Sequence, residues 1–317
     1  MDVIAIGESL VSFTPSTRGF LRHAASFTSR IAGSETNMLI GLSRLGHTTG
    51  WISKVGNDEL GKMLLARVKG EGVDTSQVII EEVSQTGLFF KEIINESDVR
   101  ITYYRKDSAA ATMNEEILSK SYFERAKYLF ITGITPALSK TCKTTIFKAI
   151  ELAKVNDLTI VFDPNIRRKL WEKDVARETI LEIAKNADII LPGRSEGYFL
   201  FETDNEKEIS ENFLSLGATL VVVKLGAKGA YYSTEQESQY VPGFRVENVV
   251  DPVGAGDGFA AGLISGLLDE KDVREAVARA CAVGALATKV DGDYEGLPER
   301  DVLNEFINQD QFDDVSR

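Results

Sequence analysis

The chain has 317 residues, of which 43% are hydrophobic and 26% are charged, the composition of an ordinary globular protein with enough chain for a sizeable core. Its 36 basic and 48 acidic residues give a net charge of −12, so we expect neither nucleic acid nor an anionic membrane surface as a partner. Two cysteines and two histidines, none of them in metal-ligand spacing, argue against a zinc site and against a Ser-His or Cys-His nucleophile.

The first elements alternate short apolar runs with turns. Val3–Ile6 predicts a buried strand, and the apolar run is too short for a signal peptide; no stretch reaches the ~18 apolar residues of a membrane span, so a cytoplasmic protein is expected. Residues 10–31 predict small strands outside the main core. Gly33 marks a turn, Ser34 is the expected N-cap of the next helix, and Asn37 lies about one turn inside it, either solvated or in a buried polar contact.

The segment that follows contains a near miss to a phosphate loop. Residues 51–55 predict a strand, and residues 56–63 approach the GxxxxGK[ST] pattern. Met63 stands where that loop needs a hydroxyl for magnesium, so the preferred interpretation is a strand-to-helix turn with polar caps.

A hairpin is predicted next, with strands at 87–94 and 99–105 and a turn at 95–98. Together with the strands before Gly33, it should form a small β layer that projects from the main body. Tyr103 and Arg105, at the end of its second strand, would by themselves be ordinary edge-strand residues.

From residue 128 onward, apolar strands alternate with helix-length segments, which predicts a parallel α/β sheet covered on both faces. The predicted strands are 128–131, 158–162, 187–191 and 220–223, and the helices include Lys140–Val155 and 175–185. Polar and glycine residues follow these strand ends, where ligands bind such sheets. They are Asp163, Asn165, Arg167, Glu196, Lys224, Gly226 and Gly229.

Residues 251–259, Asp-Pro-Val-Gly-Ala-Gly-Asp-Gly-Phe, predict a glycine turn that leads into an apolar helix. Free N–H groups and the helix dipole make such a turn a favourable site for an anion such as phosphate. Asp257 lies in the first turn of the helix, where it is either a base facing the anion or an acidic residue that stabilises the helix start. Residues 273–290 then predict a buried helix.

Two of these segments together resemble the signatures of the ribokinase (PfkB) family of carbohydrate kinases. Residues 32–37, with Gly41 and Gly46 downstream, are similar to the N-terminal signature, and residues 251–259 to the C-terminal one. The resemblance spans the chain and implies a ribokinase-like three-layer α/β/α fold with a mainly parallel central sheet. It implies one domain over 1–317, with a small β-sheet lid formed by about 10–32 and 86–108.

The resemblance also implies roles for individual residues. Asp257 would be the catalytic base, and the backbone of Gly254, Ala255 and Gly256 would form the anion hole for the transferred phosphoryl group. The implied sugar contacts are Gly33, Ser34, Asn37, Phe89, Tyr103, Arg105, Arg167, Asp257 and Asp293. The implied nucleotide contacts are Asn165, Lys224, Leu225, Gly226, Gly229, Gly254 and Gly256. Glu196 would help to hold magnesium, through water.

The sequence departs from the family pattern at two places. Gly193 occupies the position where the family often has the asparagine of Asn-x-x-Glu. The contribution of that asparagine side chain to organising the metal or the phosphates is therefore in doubt. Pro252 and Val253 replace a common Thr-Thr pair, so hydroxyl contacts to a nucleotide or a monovalent cation are lost there.

Within the family, residues 101–110, 163–167 and 191–193 are similar to the corresponding segments of 2-keto-3-deoxygluconate kinases, and fructokinases share parts of them. The implied activity is ATP-dependent phosphorylation of 2-keto-3-deoxy-D-gluconate at its C6 hydroxyl. Arg105 and Arg167 would bind the carboxylate of this acid sugar. A fructokinase or another sugar kinase of the family is the alternative, and a non-catalytic sugar-binding protein on the same fold is a third.

The implied ligands are a small-molecule acid sugar, ATP and Mg²⁺, with a monovalent cation as a further candidate. A homo-oligomer is also expected. The predicted lid should expose Phe89, Phe90 and Ile93, which would either pair two subunits or cover the protein's own substrate.

Overall fold

The computed structural model describes residues 1–95 and 98–315. The strands within these ranges are β1 (Val3–Ile6), β2 (Leu10–Pro15), β3 (Phe27–Ala32), β4 (Thr49–Gly56), β5 (Asp74–Glu81), β6 (Leu88–Asn95), β7 (Asp98–Tyr104), β8 (Tyr128–Thr132), β9 (Thr159–Asp163), β10 (Ile189–Ile190), β11 (Leu220–Lys224), β12 (Ala230–Ser233) and β13 (Ser238–Val241). The helices are α1 (Ser34–Arg44), α2 (Glu59–Gly70), α3 (Lys120–Phe123), α4 (Lys140–Val155), α5 (Lys173–Ala184), α6 (Arg194–Phe201), α7 (Glu206–Ser215), α8 (Ala255–Leu268), α9 (Val273–Ala287) and α10 (Arg300–Val315).

The large sheet has nine strands in the order β13-β12-β11-β10-β9-β8-β1-β4-β5. All neighbouring strands from β11 to β5 run parallel, and β12 and β13 complete one edge in antiparallel orientation. Strand β10 is shorter than the predicted 187–191, and the chain rejoins the sheet at a bridge between Gly193 and Lys224. The predicted mainly parallel sheet is confirmed.

Helices cover both faces of this sheet. Successive strand residues point to opposite faces, so Val3 and Ala5 join one apolar cluster while Ile4 and Ile6 join the other. Side chains of α1, α2, α8, α9 and α10 belong to the first cluster, and those of α3 to α7 to the second. The result is the predicted three-layer α/β/α arrangement.

The small sheet has four strands in the order β3-β2-β6-β7, and they fall within the segments 10–32 and 86–108. Strands β2 and β6 run parallel, whereas the outer pairs are antiparallel. Positions 96 and 97 of the predicted hairpin turn lie outside the described residues. No described helix is long and apolar enough to cross a membrane.

The expected exposure of three residues in the small sheet is wrong. Phe89 is only 7% exposed because it packs against Leu10 and Ala32. Phe90 is half-buried among aromatic rings, and Ile93 is also half-buried. The exposed apolar side chains lie on the two edge strands instead: Phe27 on β3, and Val99, Ile101, Tyr103 and Tyr104 on β7.

Helices α1 and α8 pack against each other and bring the two signature segments together. Helix α1 begins at Ser34, with Gly33 before it, so the expected N-cap role of Ser34 is wrong. Its hydroxyl does not cap the helix because it donates to Asp257 on α8. Asp58, in contrast, caps α2 by accepting from the Gly61 N–H, as the polar-cap interpretation of residues 56–63 predicts.

Candidate active site

A polar cavity of about 380 Å³ lies between the small sheet, the carboxyl ends of β1, β9 and β11, and the start of α8. The residues of this polar cavity that the sequence had singled out are Gly33, Ser34, Asn37, Phe89, Tyr103, Arg105, Asn165, Arg167, Glu196, Lys224, Gly254, Gly256, Asp257 and Asp293. The structure therefore gathers residues from both signatures, from the small sheet and from three strand ends around one space.

Asp257 is held from two sides. The Ser34 hydroxyl donates to its Oδ1 at 2.5 Å, and the Asn37 amide donates to its Oδ2 at 2.8 Å. The Asn165 amide donates in turn to the Ser34 hydroxyl at 3.0 Å. A carboxylate offers about four lone-pair positions, so Asp257 is a fixed acceptor that can still receive a hydrogen bond from a hydroxyl in the cavity.

The side-chain oxygen of Asn37 is a second hydrogen-bond acceptor near the cavity. The residue is 2% exposed, and its Oδ1 makes no hydrogen bond with any residue that the structure describes. Buried polar atoms normally find a partner, and one left without costs free energy. A hydroxyl group bound in the cavity would satisfy this oxygen.

Three carboxyl groups at or beside the cavity, one buried and two partly buried, have raised pKa values. Burial raises the pKa of Asp257 to about 6, against the lowering effect of the hydrogen bonds from Ser34 and Asn37. Burial, followed by the negative charge of Asp257, raises the pKa of Asp293 to about 7. Burial also raises the pKa of Glu35 to about 7, although the Thr132 and Thr135 hydroxyls donate to it.

The turn that leads into α8, together with the first two residues of the helix (residues 251–256), is called here the anion turn and has the geometry that its glycines predict. Gly254 has a φ of 77°, and a Cβ there would lie 1.8 Å from the carbonyl oxygen of Asp293. At Gly256, in contrast, the nearest atom to a Cβ would be the Lys224 Nζ at 3.9 Å. The backbone of the turn is therefore constrained at Gly254 and open toward the cavity at Gly256.

A second, mostly apolar cavity of about 410 Å³ lies on the other side of the anion turn. It is lined by Lys224, Gly226, Ala227, Gly229, Gly243, Phe244, Val246, Val249, Pro252, Ala255, Gly256, Phe259, Cys281, Gly284, Ala285 and Thr288. Lys224, Pro252 and Gly256 line both cavities, so the two spaces meet at the anion turn. Leu225 lines neither cavity and packs instead into the core beneath α4 to α7.

Lys224 lies where the two cavities meet, and its ammonium group forms an ion pair. Its Nζ lies 2.6 Å from Asp163 Oδ2. Burial disfavours the charge on this ammonium, but the carboxylates of Asp163 and Glu196 outweigh burial and raise the pKa of Lys224. A permanent positive charge is therefore present where the cavities join.

The carboxylate of Glu196 fits a water-mediated contact with magnesium rather than a direct one. It accepts hydrogen bonds from the backbone N–H groups of Gly193 at 2.7 Å and Ile166 at 3.0 Å. Among the described residues, no three His, Cys, Asp or Glu side chains cluster as a metal site. Mg²⁺ usually keeps several waters and binds through one or two carboxylates and the phosphates of its ligand. A single carboxylate such as that of Glu196, contacting the waters of the ion, fits this mode of binding.

Arg105 reaches the cavity wall but has a carboxylate partner inside the protein. Its guanidinium forms an ion pair with Glu8, with Nε 2.7 Å from Oε2, and the Ser108 hydroxyl donates to the other oxygen of Glu8. Burial raises the pKa of Glu8, with Arg105 opposing it. Arg167 lines the same cavity and is exposed.

Two charged residues that line the cavity, Glu8 and Lys91, and the buried Glu35, which does not line it, were missed as site residues. Asp163 also lines the cavity; the sequence placed it at a strand end but gave it no role. Glu8 could have been found, because it comes just after the carboxyl end of a predicted buried strand. Glu35 lies inside the N-terminal signature segment. Nothing in the local sequence marks Lys91, which sits within a β-strand of the small sheet.

Comparison with known proteins places the chain among sugar kinases. The model of the pfkB family carbohydrate kinases matches residues 1–300. The 2-dehydro-3-deoxygluconokinase of Bacillus subtilis is 42% identical over 310 residues, covering 97% of this chain and 96% of that protein. A probable chloroplastic fructokinase-6 of Arabidopsis thaliana is 34% identical, covering 96% and 82% respectively. A putative ribokinase II from E. coli, in complex with ATP and Mg²⁺, superposes with a TM-score of 0.90 at 27% identity, covering 97% of this chain and 99% of that one.

Proposed function

The chain belongs to the pfkB family of carbohydrate kinases, and on that premise we propose that it transfers the γ-phosphoryl group of ATP to the C6 hydroxyl of 2-keto-3-deoxy-D-gluconate. The products are 2-keto-3-deoxy-6-phosphogluconate and ADP. The choice of sugar is supported by the 42% identity to a 2-dehydro-3-deoxygluconokinase, against 34% for the fructokinase.

The observation that carries the proposal is the position of Asp257, a fixed carboxylate beside the anion turn where the two cavities meet. A phosphoryl acceptor needs a group to take its proton while the new O–P bond forms. In the proposed reaction Asp257 accepts the proton of the C6 hydroxyl. The bond between the γ-phosphorus and the β–γ bridging oxygen breaks, and that oxygen leaves with ADP.

The phosphoryl group would lie against the start of α8. The N–H groups of Gly254, Ala255 and Gly256 have no α-helical partners because they belong to the helix start, and the Ala255 N–H makes only a long 3.4 Å contact with the Pro252 carbonyl. Such donors and the Lys224 ammonium stabilise negative charge that develops on the transferred group. Bound Mg²⁺, with Glu196 contacting its waters, would neutralise further phosphate charge.

The nucleotide is assigned to the apolar cavity. Its apolar lining suits the flat face of a base, and Gly226, with no atom within 4 Å of a Cβ, leaves the backbone accessible beside it. Gly229 also lines this cavity but is packed against the backbone of Val241 and Gly243. Asn165 lies on the other side of the junction, hydrogen-bonded to Ser34, so we assign it to positioning the acceptor side rather than to the base.

The acid sugar is assigned to the polar cavity. Gly33, Ser34 and Asn37 lie beside Asp257, and the free Asn37 Oδ1 would accept from a sugar hydroxyl. Phe89 and Tyr103 form the wall from the small sheet, with their ring centroids 5.4 Å apart. In a chain of net charge −12, the guanidinium groups of Arg105 and Arg167 would attract the sugar carboxylate. A raised pKa allows Asp293 to donate a hydrogen bond to the sugar near neutral pH.

One observation favours a neutral sugar such as fructose as the second candidate. The charge of Arg105 is already balanced by Glu8, which leaves Arg167 as the more available cation. An acid sugar must then compete with Glu8 for Arg105 or rely on Arg167.

The test is ADP release by the purified chain with ATP, Mg²⁺ and a panel of 2-keto-3-deoxygluconate, gluconate, fructose, ribose and adenosine. We expect the highest kcat/KM with 2-keto-3-deoxygluconate. A higher value with fructose would establish the second candidate, and no turnover on any member would revive the non-catalytic alternative. Repeating the assay in Na⁺ and K⁺ buffers tests the proposed monovalent cation.

A further inference from the structure

Lys91 extends from the small sheet to the anion turn. It lies on β6, two residues from Phe89 and on the same face, and both side chains line the polar cavity. Its Nζ is 2.6 Å from the Oδ2 of Asp251, the first residue of the anion turn. The two side chains are only 16% and 8% exposed, so solvent screens this pair little.

Asp251 connects this ammonium to the backbone of the turn. Its other oxygen, Oδ1, accepts the N–H of Val253 at 3.1 Å. The N–H groups of Val250 and Asp251 are bonded to the carbonyl of Thr288 at the end of α9. Asp251 is therefore fixed at its backbone, and its carboxylate joins Lys91 on one side to Val253 on the other.

Three other described ion pairs between the small sheet and the main body end elsewhere. Arg105 pairs with Glu8 after β1, and Arg30 pairs with Asp291 at 2.6 Å and with Glu295 at 3.4 Å in the loop before α10. None of them reaches residues 251–256. Among the described ion pairs, the one between Lys91 and Asp251 therefore links the wall of the polar cavity to the anion turn.

We propose that Lys91 is a positioning residue for phosphoryl transfer: by pairing with Asp251 it holds the N–H groups of the anion turn in the orientation that receives the transferred group. The inference rests on the proposed kinase function. Donors aimed at developing charge are effective only when they are oriented before the reaction. The loss of Lys91 leaves the Asp251 carboxylate without its cation and free to release Val253.

The main test compares the wild type with Lys91→Met, using the best substrate of the panel. A displacement on the order of 1 Å at a reacting centre can cost ~10²-fold in rate. We expect kcat to fall roughly 10- to 100-fold while the KM for ATP changes little, since the apolar cavity is untouched. Lys91→Arg keeps the charge and should recover most of kcat.

A double-mutant cycle tests the route through Asp251. If Lys91 acts through that carboxylate, Lys91→Met combined with Asp251→Asn should be no worse than the more damaging single change. Losses that multiply would overturn the proposal. If Lys91→Met does not fold, Lys91→Gln, which keeps a donor of similar length, replaces it in the cycle.

Lys54→Met is the matched control. Lys54 forms a comparable ion pair with Glu81 across β4 and β5, at 3.3 Å and away from both cavities. The control should lower the melting temperature without changing kcat. A loss of kcat equal to that of Lys91→Met would show a general stability effect and overturn the inference.

Amide hydrogen exchange separates this inference from the proposed function. In Lys91→Met, the peptide 251–258 should exchange faster than in the wild type and in Lys54→Met, whether or not a sugar is turned over. A wild type inactive on the whole panel refutes the proposed function, and the exchange rates then decide the role of Lys91. Unchanged exchange in that peptide, or a kcat within twofold of the wild type on an active sugar, refutes the positioning role.

Discussion

At the residue scale, the proposed chemistry depends on how Asp257 is held. Ser34 and Asn37 each donate to one of its oxygens, and Asn165 donates to Ser34, so the carboxylate cannot rotate without breaking these bonds. The sequence predicts Ser34 and Asn37 as sugar contacts, and that role stays a prediction. The structure adds a role that the local sequence does not reveal, the orientation of the carboxylate.

Asp257→Asn tests the proposed base. The amide has nearly the same size as the carboxylate but cannot accept a proton at neutral pH. We expect a folded protein with ATP binding retained and kcat lowered by on the order of 10²–10⁴. Steady-state kinetics together with a melting curve check this, and near-normal turnover would rule out the base role.

The pH dependence of kcat follows from the same carboxyl group. Burial raises the pKa of Asp257 to about 6, so the group is protonated and inactive as a base below that pH. We expect kcat to rise with pH through an inflection near 6 and to approach a plateau above it.

Asp293 has a pKa of about 7 and interacts with Asp257, so the pH profile of kcat reports apparent pKa values that belong to the pair of carboxyl groups. Asp293→Asn is the control that removes the second titration and should leave the inflection near 6. A kcat independent of pH between 5 and 8 would contradict the assignment.

At the element scale, the start of α8 combines two different glycine requirements. Gly254 has a positive φ and no space for a Cβ, whereas Gly256 has space within the protein and faces the junction of the cavities. A substitution at Gly256 can therefore impair function without impairing folding, because its side chain would compete with the phosphoryl group and not with protein atoms. A substitution at Gly254 would affect folding as well.

Gly256→Val should consequently fold and lose turnover by at least on the order of 10²-fold, as expected when a group that stabilises transition-state charge is blocked. Gly70→Val is a matched control, since Gly70 ends α2 with no atom within 4 Å of a Cβ. ATP turnover and thermal melting of both variants provide the measurement. Normal activity of Gly256→Val would refute the anion-hole proposal.

At the scale of the whole molecule, the small sheet and the main body share the polar cavity, and ion pairs join them. Arg105 belongs to this connection as well as to the cavity wall, because it pairs with the buried Glu8. The expected homo-oligomer also concerns this scale and stays a prediction; the exposed apolar side chains of the small sheet that could serve it lie on its edge strands β3 and β7.

Arg105→Ala tests the acid-sugar assignment. A hydrogen bond to a charged group contributes ~1.5–3 kcal/mol, which corresponds to roughly 10- to 150-fold in affinity. We expect the KM for 2-keto-3-deoxygluconate to rise within that range and the KM for fructose to change far less. Glu8→Gln removes the internal ion pair but keeps the arginine, so it separates the structural effect from the substrate contact. Equal changes for both sugars in Arg105→Ala would assign it a structural role.

The sequence by itself determined the architecture and the region of the site. Apolar strands alternating with helix-length segments specify a parallel sheet covered on both faces, and the glycine turn before Phe259 predicts an anion site, because both follow from local periodicity and backbone geometry. The strand-end residues Asp163, Asn165 and Lys224 fall at one edge of the sheet for the same reason.

Only the tertiary structure decided which side chains are partners. Ser34 with Asp257, Arg105 with Glu8, and Lys91 with Asp251 join residues far apart in the chain, and each pair forms because packing brings two separate elements together. Local sequence cannot rank such contacts, since a serine at a helix start serves equally well as a cap and a lysine in a strand equally well as a solvated charge. The packing of α1 on α8 and of the small sheet over the anion turn settled these choices, because buried charges and hydroxyls must be paired wherever the fold encloses them.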